Sequence, residues 1–208
     1  MLRKSKIILG ISLTIIIIGA GIGSVLLWWY WPGNSSQEAP VFDFPVENID
    51  VIHILGGYGN TSWGSFHYGI DFGCNASVNI LAACDLRVTA IQTWMYTTDP
   101  DRWQTSVLLE INQAYGLNIA FESWALNETY ANLQRDAIVV ELDQIVLRGQ
   151  VLGQLLYHGE GTHIDFMLIK QGSPVCPYPY FSDSAKNLFD SLWIKYGTPT
   201  SICNETAT

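Results

Sequence analysis

The chain has four histidines in 208 residues, and two of them stand in patterns suited to chemistry. His67 precedes Gly69 and Asp71 in Phe66-His67-Tyr68-Gly69-Ile70-Asp71-Phe72-Gly73. Far downstream, Gly161-Thr162-His163-Ile164-Asp165-Phe166 offers a second histidine and a second carboxylate. Imidazole nitrogens and carboxylate oxygens are zinc ligands, and three protein ligands with one position left open make a catalytic zinc site. The two stretches are expected to meet in the fold and form one metal site.

The elements that must position these groups follow from periodicity. From Thr162 to Lys170 the pattern alternates, with Ile164, Phe166 and Leu168 on one face and His163, Asp165 and Met167 on the other. Side chains at i and i+2 of a strand stand on one face roughly 6.6–7 Å apart. One such group can bind a metal while its neighbour handles a proton. The first stretch cannot be one regular strand, because His67 and Asp71 would then lie about 13 Å apart. Gly69 and Gly73 disfavour a helix. A bend at Gly69, with Asp71 already in a strand, meets the need, and glycine permits it. Alternating runs such as Val107-Leu108-Leu109-Glu110 and Asn118-Ile119-Ala120-Phe121 recur between turn signals, which predicts a mainly β fold, an antiparallel barrel or sandwich. Two helices are predicted, Glu128 to Arg135 and a second from Ser182 or Asp183 to Tyr196, ending at Gly197.

Residues 64–91, GSFHYGIDFGCNASVNILAACDLRVTAI, resemble the HxGxD segment of the lysostaphin-type zinc endopeptidases, which cut peptide cross-links in bacterial cell walls. Residues 143–168, DQIVLRGQVLGQLLYHGEGTHIDFML, resemble the same family's Gly-Gln turn and H-x-H strand. The similarity covers roughly residues 50–180. It implies that His67 and Asp71 are zinc ligands and that His163 is the base acting on the attacking water. The chain departs from the pattern twice. The family's second H-x-H histidine, its third ligand, is Asp165 here, and a further catalytic histidine falls at Ser123. Glu122 or Ser123 is a candidate substitute for the lost group, and His158 a candidate replacement ligand. His53 is read as structural. A second carboxylate among the ligands lowers the charge of the site and shifts its preference toward harder ions such as manganese.

The chain begins with a different kind of element. Ile7 to Trp31 holds no charged residue, and as a helix it would span about 37 Å, more than a bilayer's hydrocarbon core. Arg3, Lys4 and Lys6 precede it and no base follows until Arg87, which predicts a cytoplasmic tail over 1–6, an anchor over 7–31 and everything beyond it outside. A cleaved signal peptide is the rival; its apolar core is shorter and ends at small residues, whereas this run ends in Trp28, Trp29, Tyr30 and Trp31. Five asparagines, Asn34, Asn60, Asn75, Asn127 and Asn204, open N-x-S/T sequons, where chance gives about 1.5, and all five follow the anchor. So do the four cysteines, Cys74, Cys84, Cys176 and Cys203, with three disulfide pairings open and reduced core thiols as the alternative. Residues 32–48 read as a stalk and 49–208 as the outer domain. Beyond the anchor, 19 acids meet 7 bases, which argues against nucleic acid as a partner.

Two functions are therefore expected as rivals. One is a membrane-anchored metallopeptidase, with zinc or another divalent ion on His67, Asp71 and Asp165 and His163 as base, acting on envelope peptides. The other is the same fold with a weakened or empty site, binding envelope components or regulating a partner.

Overall fold

The computed structural model describes residues 36–61, 65–96 and 102–204. The anchor expected over 7–31 and the sequon at Asn34 lie outside them. Among the described residues no helix is long and apolar enough to cross a membrane.

The strands are β1 (Ile52–Asn60), β2 (Phe66–His67), β3 (Ile70–Cys74), β4 (Val78–Leu81), β5 (Leu86–Tyr96), β6 (Arg102–Glu110), β7 (Tyr115–Ala125), β8 (Ile145–Val146), β9 (Val151–Leu155), β10 (His163–Lys170), β11 (Ser173–Val175) and β12 (Gly197–Asn204). The helices are α1 (Glu128–Asp136) and α2 (Asp183–Tyr196). Ten strands form one sheet in the order β12-β1-β3-β10-β7-β6-β5-β8, with β2 added to β1 and β11 to β10. Its pairings are antiparallel except β1 with β12, which is parallel. The path is open at β8 and β12, so the barrel alternative does not form among the described residues. Instead β4 and β9 make a second small sheet, and Val78, Ile80, Leu152 and Leu155 share one core with Ile119, Phe121, Ile164 and Phe166 of the large sheet.

Alternation explains the layering. In β10, Ile164, Phe166 and Leu168 are buried and His163, Asp165 and Met167 are partly exposed on the other face. The core centres on packed rings: Phe166 lies 5.3 Å from Phe42 and 5.7 Å from Phe181, and Phe72 lies 5.7 Å from Phe189. α2 supplies Phe189 and Ala185 to this core, and its start is fixed by Ser182, whose hydroxyl accepts from the Ala185 N–H. α1 is capped in the same way by Asn127, which accepts from the Tyr130 N–H.

Residues 40–48, expected to belong to a stalk, are folded into the domain. Phe42 and Val46 are buried, and Phe42 hydrogen-bonds through its backbone to Tyr180 and Ser182. The prolines there masked an alternation of apolar side chains, Phe42, Phe44 and Val46. Of the cysteines, Cys176 and Cys203 form a disulfide, while Cys74 and Cys84 are buried thiols that burial pushes up to about 12. None of the three fully paired schemes is realised. Asn60, Asn75 and Asn127 are exposed, and Asn204 is half-buried at the end of β12.

Phe166 is fully buried between Phe42, Phe72 and Phe181. Phe166→Ala is expected to lower the unfolding free energy by about 3–5 kcal/mol, read from denaturant-unfolding midpoints.

Candidate metal centre

Strand register brings the expected residues together. Asp71 in β3 stands directly opposite Asp165 in β10 on one side and Gly56 in β1 on the other. His163 in β10 faces Gly73 in β3 and Glu122 in β7. Like charges directly opposite one another on neighbouring strands are destabilising, so the Asp71–Asp165 pair calls for a positive partner. His67 arrives from β2, which pairs with β1 opposite Gly59. The chain turns between β2 and β3 at Tyr68 and Gly69, as expected, but glycine serves there for a different reason. Gly69 has no left-handed backbone; a Cβ on it would overlap the Asp165 carboxylate. A Cβ on Gly56 would come within 2.8 Å of Asp71 Oδ2. Two bare backbone positions thus make room for the two carboxylates.

His67 Nε2 lies 3.2 Å from Asp71 Oδ1 and 3.6 Å from Asp165 Oδ1. Ligands of one tetrahedral zinc, each about 2.0–2.2 Å from it, stand roughly 3.3–3.6 Å apart. Asp71 Oδ1 and Asp165 Oδ1 are buried without a hydrogen bond of acceptable geometry. Nδ1 of His67 is 2.9 Å from the Gly57 carbonyl and donates to it, which leaves Nε2 free to face the cluster. His67, Asp71 and Asp165 therefore offer a divalent cation three ligand atoms of suitable type and orientation, all within 4.8 Å of one another. A site of one imidazole and two carboxylates suits zinc and also harder ions.

His163 sits beside this trio. Its Nε2 is 3.6 Å from Asp71 Oδ1 and 3.4 Å from Glu122 Oε2, and its Nδ1 is 2.6 Å from the Gly161 carbonyl. The electrostatics reflect three crowded carboxylates. Burial pushes the His67 imidazole down, but Asp71 and then Asp165 overcome it and raise it to about 9. Burial, reinforced by Asp71, pushes Asp165 up to about 7. Burial opposes ionisation of Asp71, yet His163 and His67 hold it below the usual carboxylate range. Burial opposes charge on His163 as well, and Asp71 and Glu122 raise it nonetheless. Glu122 is raised, chiefly by burial.

Two expected accessory residues are elsewhere. Ser123 is fully buried on the core-facing row of β7 with Phe121, because strand alternation gives the site face to Glu122. His158 packs on the Tyr130 ring at 4.7 Å and is not among the converging groups. His53 is half-buried on β1, also outside the cluster. Sequence reasoning missed Trp124, whose ring lies 5.6 Å from that of His163 and whose backbone φ is +53°. Nothing in the residue pattern signals a left-handed tryptophan at a strand end. A cavity of ≈ 740 Å³ runs along β5, lined by Thr89, Ile91, Ile138 and Leu142, and none of the metal-centre residues lines it.

No protein-family model and no curated protein matches the chain. Among solved structures it is similar to a zinc-containing peptidase from Vibrio cholerae, with a TM-score of 0.47 and 19% identity over 66% of this chain and 39% of that one. It is also similar to the catalytic domain of the antimicrobial peptidase lysostaphin from Staphylococcus simulans, with a TM-score of 0.40 and 16% identity over 62% of this chain and 91% of that one. The chain thus matches about two fifths of the Vibrio cholerae protein's length. Each is a likeness of fold.

Gly69→Ala is expected to weaken zinc binding by at least about tenfold, read by competition with a chromophoric chelator, because the new methyl displaces Asp165. Zinc binding at pH 7 is expected to release about 1 to 1.5 protons, one from His67 and part of one from Asp165, read by calorimetry in buffers of different ionisation heat. The sign for the metal-free protein is opposite to that of metal affinity. Asp165 and His67 both have raised pKa values, so their contribution to stability is complete at low pH. It falls as pH rises through about 7 and then about 9, while zinc affinity climbs over the same range.

Proposed function

We propose that the chain is a membrane-anchored, outward-facing metallopeptidase that hydrolyses peptide bonds in envelope or cell-wall peptides. The observation that carries this reading is the convergence of His67 Nε2 with the hydrogen-bond-free oxygens of Asp71 and Asp165, next to a histidine that is not needed as a ligand. His67, Asp71 and Asp165 would hold the ion. Zinc held there supplies Lewis-acid polarisation of a peptide carbonyl and acidifies an attacking water. His163, fixed through Nδ1 by the Gly161 carbonyl, would present Nε2 to take a proton from the attacking water and return it to the leaving amine. Glu122, beside the same nitrogen, would steady the resulting imidazolium. His67 is oriented by Gly57, and the bare Gly69 and Gly56 keep the carboxylates from being pushed out of line. The outward orientation is supported by the uncharged run at 7–31 with its basic flank, by the exposed sequon asparagines Asn60, Asn75 and Asn127, and by the Cys176–Cys203 disulfide.

The non-catalytic reading has its own support. With Asp165 in place of a histidine and Glu122 nearby, three carboxylates surround the site, which reduces the acidity that an ion lends to water. Ser123, buried away from the cluster, does not replace a second catalytic histidine.

The test measures bound metal and cleavage of short peptides by the purified full chain. The wild type is expected to hold one divalent ion per chain and to cleave. His67→Ala should lose the ion, and His163→Ala should keep it while losing about 10²–10⁴ in kcat. A wild type that binds no ion and cleaves nothing, alongside an Asp165→His variant that gains both, would establish the non-catalytic reading instead.

A further inference from the structure

The metal-centre face of the sheet continues past His163 to a cationic corner. Ser106 in β6 pairs with Ala120 in β7, which pairs with Asp165, so Ser106 shares the face of the metal site. The β6–β7 register shifts between Trp103 and Thr105, but β6 stays in regular register with β5 there, so Gln104 and Arg102 alternate onto the same face. The Arg102 guanidinium lies 5.9 Å from the centre of the Trp124 ring, and that ring lies 5.6 Å from His163. The indole is held there by two backbone concessions. Trp124 itself takes a left-handed φ of +53°, a conformation that bulky residues rarely adopt, and Gly161 is bare where a Cβ would come within 2.6 Å of the indole.

Arg102 differs from the other arginines of the sheet region. Arg87 is held by Glu110 and Asp143, and Arg148 by Asp43. Arg102 makes no ion pair among the described residues, and its Nη1 is buried without a hydrogen-bond partner. Two residues along, Gln104 is 4% exposed, and its Oε1 also has no partner. A planar guanidinium is suited to bind a carboxylate through two hydrogen bonds. Groups at i and i+2 on a strand stand roughly 6.6–7 Å apart. In an extended peptide that is about the distance from the terminal carboxylate to the N–H of the preceding residue. Arg102 thus offers a donor for the carboxylate, and Gln104, two residues along the same row, offers an acceptor for that N–H.

We infer that Arg102 and Gln104, beside Trp124, form a subsite for the free C-terminal carboxylate of a peptide, so that the substrates are peptides whose carboxyl end lies close to the scissile bond. This rests on the peptide-hydrolase reading above. The subsite also orients the ligand: Arg102 attracts the carboxylate to the corner, while Glu122 disfavours it beside His163.

The test uses the full chain in detergent, loaded with zinc, and two probes, acetyl-Ala-Ala-Ala with a free carboxylate and the same peptide as its C-terminal amide. Calorimetric titration is expected to show the acid binding about tenfold more tightly than the amide. Arg102→Gln should abolish that preference and Arg102→Lys should keep part of it. His67→Ala, measured without the ion that it no longer holds, should leave the preference intact, because the carboxylate is not on the metal. Equal binding of acid and amide by the wild type, no binding of the acid at millimolar concentration, a preference that survives Arg102→Gln, or one lost in His67→Ala would each overturn the inference. An intact, Arg102-dependent preference in a protein that cleaves neither probe nor longer peptides would defeat the hydrolase reading alone and leave the carboxylate subsite standing.

Discussion

Two aspartates confront each other across neighbouring strands, and the structure around them is arranged to make that tolerable. Asp71 and Asp165 occupy directly opposed positions of β3 and β10, where two negative charges repel. Without a metal the strain is relieved by protons: Asp165 is pushed up to about 7, and His67 holds its own proton to about 9. A divalent cation removes the need for both. The pair is therefore poised between protonation and metal capture, and Glu122 strengthens the demand for positive charge from the next strand.

The sheet meets that demand by placing backbone where side chains would intrude. Gly56 and Gly69 flank the carboxylates without a Cβ, and the carbonyls of Gly57 and Gly161 each take the Nδ1 proton of one histidine. Both imidazoles consequently turn Nε2 toward the same point, although they come from strands far apart in sequence. Behind the site the buried row of β10, Ile164, Phe166 and Leu168, packs against the aromatic core. A strand locked on one face holds its other face still, as a preorganised set of ligand side chains requires.

Much of this was legible in the chain. The alternation in β10 assigned His163 and Asp165 to one face, and the capping residues Ser182 and Asn127 marked both helices. Three things were not legible, each for a physical reason. The parallel pairing of β12 with β1 joins segments with no shared local signal. The role of Gly69 depends on a carboxylate 96 positions later, and not on its own backbone angles. The choice between Glu122 and Ser123, both candidates from the sequence, turns on strand phase, where a one-residue offset moves every side chain to the opposite face. Motif matching fixed the neighbourhood of that position but not its phase.

The parallel pairing of β1 with β12 bears on how the molecule is made. Leu55 in β1 pairs with Gly197, 142 positions later, and the intervening chain carries nearly every other strand. β1 is synthesised first among the strands and keeps one edge unpaired until the last of them arrives, while it also carries the Gly57 carbonyl that orients His67. Pairings of such long sequence separation form slowly. The first histidine of the centre thus gains its final support only when β12 has docked, so maturation of the site waits on a strand far downstream of it.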